Sequence, residues 1–290
     1  MFPYASSKEE ADPYLIAIVE RLNQFAAHVE TLCRLFIRRP DLRGRRRPPS
    51  AIPLPSLQRL EWYNQRHFHH SGINSFVDFL LHCPNLRYLF IESSEGSKIP
   101  RSTDYARVEL LLLGTLRLRL EQRGWDIEDL LGLANWSLPA LNTLIIDIPL
   151  FHMDGEKFWT SVGRNITRVE LGPDERFKND DCITQCLQGC PVLQDLCYYA
   201  WAVAVPAHPP RHPCLQRVRI RAGKNFAYSE FALAEILRDH LVAFSHAGMD
   251  NLKTFDLYGR KDWGVFANTR QWEVVDKELV SRGIKIVLHL

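Results

Sequence analysis

The feature that most constrains this chain is a short phrase that recurs along it: an anchor leucine or isoleucine, an apolar residue three positions on, and another two beyond that. The first five copies are Leu32/Leu35/Ile37, Leu57/Leu60/Trp62, Leu86/Leu89/Ile91, Leu113/Leu116/Leu118 and Leu141/Leu144/Ile146. Four more follow at Ile166/Val169/Leu171, Leu193/Leu196/Tyr198, Leu215/Val218/Ile220 and Leu252/Phe255/Leu257. Alternate side chains of a strand share a face, so the +3 and +5 residues form an apolar pair on one side. A single strand of this kind cannot bury that pair, and the copies must therefore cover one another.

Successive anchors lie 25, 29, 27, 28, 25, 27, 22 and 37 residues apart. All but the last fall within the roughly 20 to 29 residues of a leucine-rich repeat. The long spacing has room for a helix over 229–247, where Phe231, Ala234, Ile236, Leu237, Leu241 and Phe244 recur at helical intervals. Shorter helical patterns lie between other phrases: Ile73, Phe76, Val77, Leu80 and Leu81; Ile127, Leu130, Leu131 and Ala134; Ile183, Cys186 and Leu187. The expected fold is α/β, a horseshoe-shaped solenoid with an inner parallel sheet and outer helices over 28–290. A helical cap is expected over 1–27, and a last strand at Ile284, Ile286 and Leu288 closes the sheet.

Proline stands two residues before five anchors, at Pro55, Pro84, Pro139, Pro191 and Pro213, where it stops a helix and starts a strand. Cys83-Pro84-Asn85-Leu86 and Cys190-Pro191-Val192-Leu193 are nearly the same words. With Leu-Pro-Ser-Leu-Gln-Arg-Leu-Glu-Trp at 54–62 and Leu-Pro-Ala-Leu-Asn-Thr-Leu at 138–144, these stretches resemble the irregular leucine-rich-repeat region of fungal F-box proteins. That resemblance implies a substrate-recognition subunit of a cullin ubiquitin ligase, docked through an F-box on a Skp-type adaptor. Residues 1–52 do not read as an F-box, so adaptor and cullin are expected partners only where that module is supplied. The alternative is a free-standing scaffold or regulatory protein built on the same repeats. The sequence also departs from regular repeats after the strand, where Gln65, Ser94, Pro149 and Trp201 replace the usual Asn or Cys.

Composition narrows the classes further. The longest apolar stretch, Leu110 to Leu113, is far short of a membrane span, and the N-terminal residues do not read as a signal or transit peptide. Seven cysteines are an odd number in a chain that needs no disulfide framework, which predicts reduced thiols and a cytoplasmic or nuclear location. The formal charge is +2, against a nucleic-acid or membrane partner. Six arginines between Arg38 and Arg47, in a basic Arg/Pro-rich loop over 38–50, read either as a solvated loop or as an import signal or phosphate-facing patch.

Chemistry-bearing constellations are few. Cys182, Cys186 and Cys190 share a helical face but lack the paired spacing of a zinc site, so packing is the plainer reading. His67, His69 and His70 fit an exposed loop as well as they fit a metal or pH sensor. Without phosphate-binding, nucleophile-elbow or metalloprotease motifs, the expectation is a protein that is not an enzyme and takes no cofactor or metal.

Binding residues are expected at the +2, +4 and +6 positions, which face away from the apolar pair. These are Arg59, Glu61, Tyr63, Tyr88, Phe90, Glu92, Thr143, Ile145, Asp147, Arg168, Glu170, Asp195, Cys197, Tyr199, Arg217, Arg219 and Arg221. Tyrosine and arginine are favoured at binding hot spots, which singles out Tyr63, Tyr88 and Tyr199, with Trp201 beside the last. Arg217, Arg219 and Arg221 form a basic stripe that Arg168 extends. That stripe either docks an anionic partner or is neutralised by Glu170 and Asp195 on intervening strands.

Overall fold

In the computed structural model the residues described are 31–35, 54–64, 80–81, 83–93, 108–120, 136–149, 155–206, 209–221, 230–245, 248–258 and 270–289. The expected cap over 1–27, the arginine run, the histidine loop, the helix over 127–134 and most of that over 73–81 lie outside them. The chain divides into two units, Met1–Leu141 and Asn142–Leu290.

The first unit contains β1 (Thr31–Leu35), β2 (Arg59–Asn64), β3 (Tyr88–Ser93) and β4 (Thr115–Leu120), each paired in parallel with the next. The second contains six strands: β5 (Thr143–Ile146), β6 (Arg168–Leu171), β7 (Asp195–Tyr199), β8 (Arg217–Arg221), β9 (Thr254–Tyr258) and β10 (Lys285–His289). They too pair in parallel and in sequence order. The class is α/β with all-parallel strand pairing. Helices α1 (Gly155–Val162), α2 (Cys182–Gly189), α3 (Glu230–Ser245) and α4 (Arg270–Ser281) belong to the second unit.

From Leu57 onward each strand begins two residues after its anchor, and the +3 and +5 side chains are buried, as in Leu116/Leu118, Leu144/Ile146 and Leu196/Tyr198. The anchor closes a turn by donating its N–H to the carbonyl three residues earlier: Leu86 to Cys83 at 3.2 Å, Leu141 to Leu138 at 3.1 Å, Leu193 to Cys190 at 3.0 Å. The five punctuating prolines thus occupy the second position of a turn, which their fixed φ pre-sets. At the next turn residue, Asn85 Nδ2 donates to the Pro55 carbonyl at 2.6 Å and Asn251 Nδ2 to that of Pro213, tying each turn to the previous one.

A second tie repeats through both units. The carbonyl following an anchor accepts two N–H groups from the next repeat. Gln58 accepts from Arg87 and Tyr88, Thr167 from Gln194 and Asp195, and Gln194 from Gln216 and Arg217, all at 2.8–3.0 Å.

The first phrase is out of register with the rest. Leu32 pairs with Leu60, a +3 residue, and not with the anchor Leu57, and Leu35 pairs with Trp62 after an irregularity between the two. The predicted helix over 229–247 is α3, and Ile183, Cys186 and Leu187 are buried on α2, which Asp181 caps by accepting from the Thr184 N–H at 3.0 Å. The last strand is β10, whose Ile286 and Leu288 pair with Phe255 and Leu257.

The periodicity reading missed α1 and α4, where Phe158 and Trp159, and Val275 and Leu279, supply the buried contacts. Helix α3 covers the +3/+5 side of the strands: Tyr198 stacks on Phe244 at 6.5 Å and Phe244 meets Phe255 edge-on at 6.3 Å.

Candidate interaction face of the parallel strands

The +2, +4 and +6 residues line the face opposite the apolar pairs, and strand register sets them in three rows. In the first unit the rows interleave guanidinium groups with rings. Arg59 lies 3.9 Å over the Tyr88 ring and bonds Glu61 at 2.6 Å, while Arg117 sits 5.1 Å from the centre of Phe90. Phe90, expected to be available for binding, is buried despite its place on this face. Tyr63 pairs with Glu92 in the β2–β3 register, but its side chain lies outside those described.

The second unit carries the predicted basic stripe, and the arginines do share one side. Acidic residues of neighbouring strands meet them. Arg219 bonds Asp195, Arg221 reaches Glu170 at 2.8 Å, and Arg217 stands 3.4 Å from Asp256. Arg168 pairs with Glu170 on its own strand at 3.5 Å. Of the two readings left open by the sequence, neutralisation by Glu170 and Asp195 therefore holds for much of the stripe, with Asp256 as an additional acid.

Cys197 forms the floor of this network. Arg219 and Glu170 flank it in register, and it is fully buried, which corrects its expected place among the contact residues. Burial pushes its thiol up to about 11, too high to supply a thiolate at neutral pH.

At the C-terminal ends of the strands a row of flat groups runs Tyr199, Arg221, Tyr258, His289, each opposite the next in the ladder. The Tyr258 and His289 rings are parallel, 4.2 Å apart. Arg221 donates to the Tyr199 hydroxyl at 3.3 Å and its guanidinium lies 5.5 Å from that ring. Trp201 meets Tyr199 edge-on at 6.3 Å, and its Nε1–H is buried without an acceptor among the described residues. Tyr199, Trp201 and Tyr258 are each half-buried. Burial acts to lower the Arg221 pKa, yet the Tyr199 hydrogen bond and the charges of Cys197 and Glu170 outweigh it and raise the value overall.

Sequence reasoning placed Tyr199, Trp201 and the four arginines on one face of one unit, and Tyr88 on the same face of the other. It missed Asp256, Tyr258, Lys285 and His289. Asp256 and Tyr258 stand at +4 and +6 from Leu252, so the phrase itself contained the signal.

Among the described residues no group of His, Cys, Asp and Glu is placed to hold a metal, and Cys182 and Cys186 are buried with pKa values raised chiefly by desolvation. Nor is any described helix long and apolar enough to cross a membrane. Compared with protein-family models and with curated proteins, the chain matches none.

Proposed function

We propose that this chain is a protein-recognition module, a leucine-rich-repeat solenoid that takes its partner on the open face of its parallel strands. The observation that carries this reading is the in-register row Tyr199, Arg221, Tyr258 and His289 with Trp201 beside it. Half-exposed rings and guanidinium groups held rigid by a strand ladder are what a hot spot needs, because little side-chain entropy remains to be lost on binding. The Cys-Pro-x-Leu resemblance supports a narrower version, a substrate-recognition subunit of a cullin ubiquitin ligase that acts with an F-box-bearing adaptor link. The alternative is a free-standing scaffold.

The test places a photo-crosslinking residue at Tyr199 or Thr254 of the full chain in cells. Recovery of one protein from both positions, and its absence from a site on the exposed face of α4 such as Lys277, supports recognition by this face. Equal yields from all three positions overturn it. A Skp-type adaptor in the purified complex decides for the ligase version over the scaffold.

A further inference from the structure

The open face of β6–β10 is a charge-selective surface with its acids already spent. Along its three rows stand five cations, Arg168, Arg217, Arg219, Arg221 and Lys285, and three carboxylates, Glu170, Asp195 and Asp256. Glu170 is engaged by Arg168 and Arg221, Asp195 by Arg219, and Asp256 by Arg217 and by His289 at 3.5 Å. Asp256 is buried, and the side chains of Glu170 and Asp195 are each only 17% exposed. Arg219 is as buried as Asp195, at 17%, while Arg217 and Arg168 reach outward, 49% and 39% exposed at the side chain.

Lys285, exposed in the same row as Arg217, makes no ion pair with any described residue. A surplus of two positive charges therefore faces outward along the +2 row. The flat groups Tyr199, Tyr258 and His289 line the +6 row, on the same face.

We infer that this face binds an acidic peptide segment that also carries aromatic side chains, its carboxylates meeting Arg168, Arg217 and Lys285 and its rings the Tyr199–His289 row. The inference rests on the recognition reading above and specifies its partner. Charge complementarity favours carboxylates over a nucleic-acid backbone. A surplus of two positive charges suits a segment carrying a few carboxylates and neutralises little of a continuous run of phosphates. The outward-reaching guanidinium groups of Arg168 and Arg217, each held beside an acid at 3.5 and 3.4 Å, have N–H groups left for an arriving carboxylate.

The experiment uses the full chain and short fluorescent peptides: one alternating glutamate and tyrosine, one with glutamine for each glutamate, one with serine for each tyrosine, and oligouridylate of matching length. Fluorescence anisotropy is expected to rank the Glu/Tyr peptide first. Its affinity falls with added salt and drops at least about threefold in Lys285→Glu, an exposed site whose reversal leaves folding intact. Arg217→Gln is the second variant, with thermal unfolding of both as the control for folding.

Equal binding of the glutamine peptide, lost in Tyr199→Ala, overturns the acidic partner while leaving recognition by this face standing. Tighter binding of oligouridylate overturns it in favour of nucleic acid. Binding by none of the probes also overturns the inference, and crosslinking at Tyr199 and Thr254, which assumes no partner charge, then shows separately whether recognition survives.

Discussion

The hydroxyl of Tyr198 lies 3.2 Å from Nδ1 of His240, and both side chains are buried between β7 and α3. His240 Nε2 lies 3.2 Å from the Ala200 carbonyl, so the neutral ring donates there and accepts from the tyrosine. Burial is the main reason its pKa falls from 6.5 to about 4, partly offset by the bond to Ala200.

A pH dependence follows from that ring. Because its folded value is depressed, the unfolded chain binds the proton more readily. The stability contributed by the neutral ring is complete above about pH 6.5, is lost as pH falls toward 4, and declines no further below that. The full loss is on the order of 3 kcal/mol. Urea titrations at about pH 7.5 and about pH 4.5 should show the midpoint falling in the native chain and a flatter response in His240→Gln.

Tyr198→Phe should cost about 1–3 kcal/mol at neutral pH, since it leaves His240 Nδ1 buried without its donor. Thermal unfolding against the parent chain checks this.

Helices α1 and α2 touch backbone to side chain. A Cβ added at Gly189 would fall well inside contact distance of the Trp159 Cβ, and one at Gly163 would meet the Gly189 carbonyl. Gly189→Ala should therefore destabilise the chain by about 1–3 kcal/mol, although alanine is the better helix former. Urea unfolding that shows stabilisation instead would mean the helices can part without cost.

The described cysteines should differ in reactivity. Burial pushes Cys83 and Cys182 up to about 12 and Cys197 to about 11, whereas Cys214 is partly exposed. Brief alkylation at neutral pH, read by peptide mass spectrometry, should label Cys214 first and the other three only after unfolding.

Leu196, fully buried at the centre of β7, is a +3 residue of the repeat phrase. Leu196→Ala should cost about 2–5 kcal/mol, and the same change at exposed Val274 of α4 about 0.5 kcal/mol or less, by the same unfolding measurement.

Much of this architecture is legible in the sequence because a strand's register is written locally. The anchor, its turn and its +3/+5 pair occupy nine consecutive positions, and from Leu57 onward the strand starts where that phrase places it. Leu32 misled because its own neighbours, Leu35 and Ile37, satisfy the phrase, while only pairing with Leu60 reveals its register. The charge state of the face was less legible for a similar reason. Arg221 and Glu170 are two strands apart, and their contact depends on how far each side chain reaches across the intervening Cys197. Helices α1 and α4 went unread because each buries its core contacts within about two turns, too few for the apolar period to stand out.

The turn carbonyls that accept two N–H groups from the next repeat bear on how the chain reaches its native state. Every such bond joins segments close in sequence: Asp195 meets Arg217, and Lys285 meets Thr254. Loop closure between neighbours is entropically cheap, and a formed strand supplies a fixed acceptor edge for its successor. Order should therefore propagate outward from whichever pair of strands forms first.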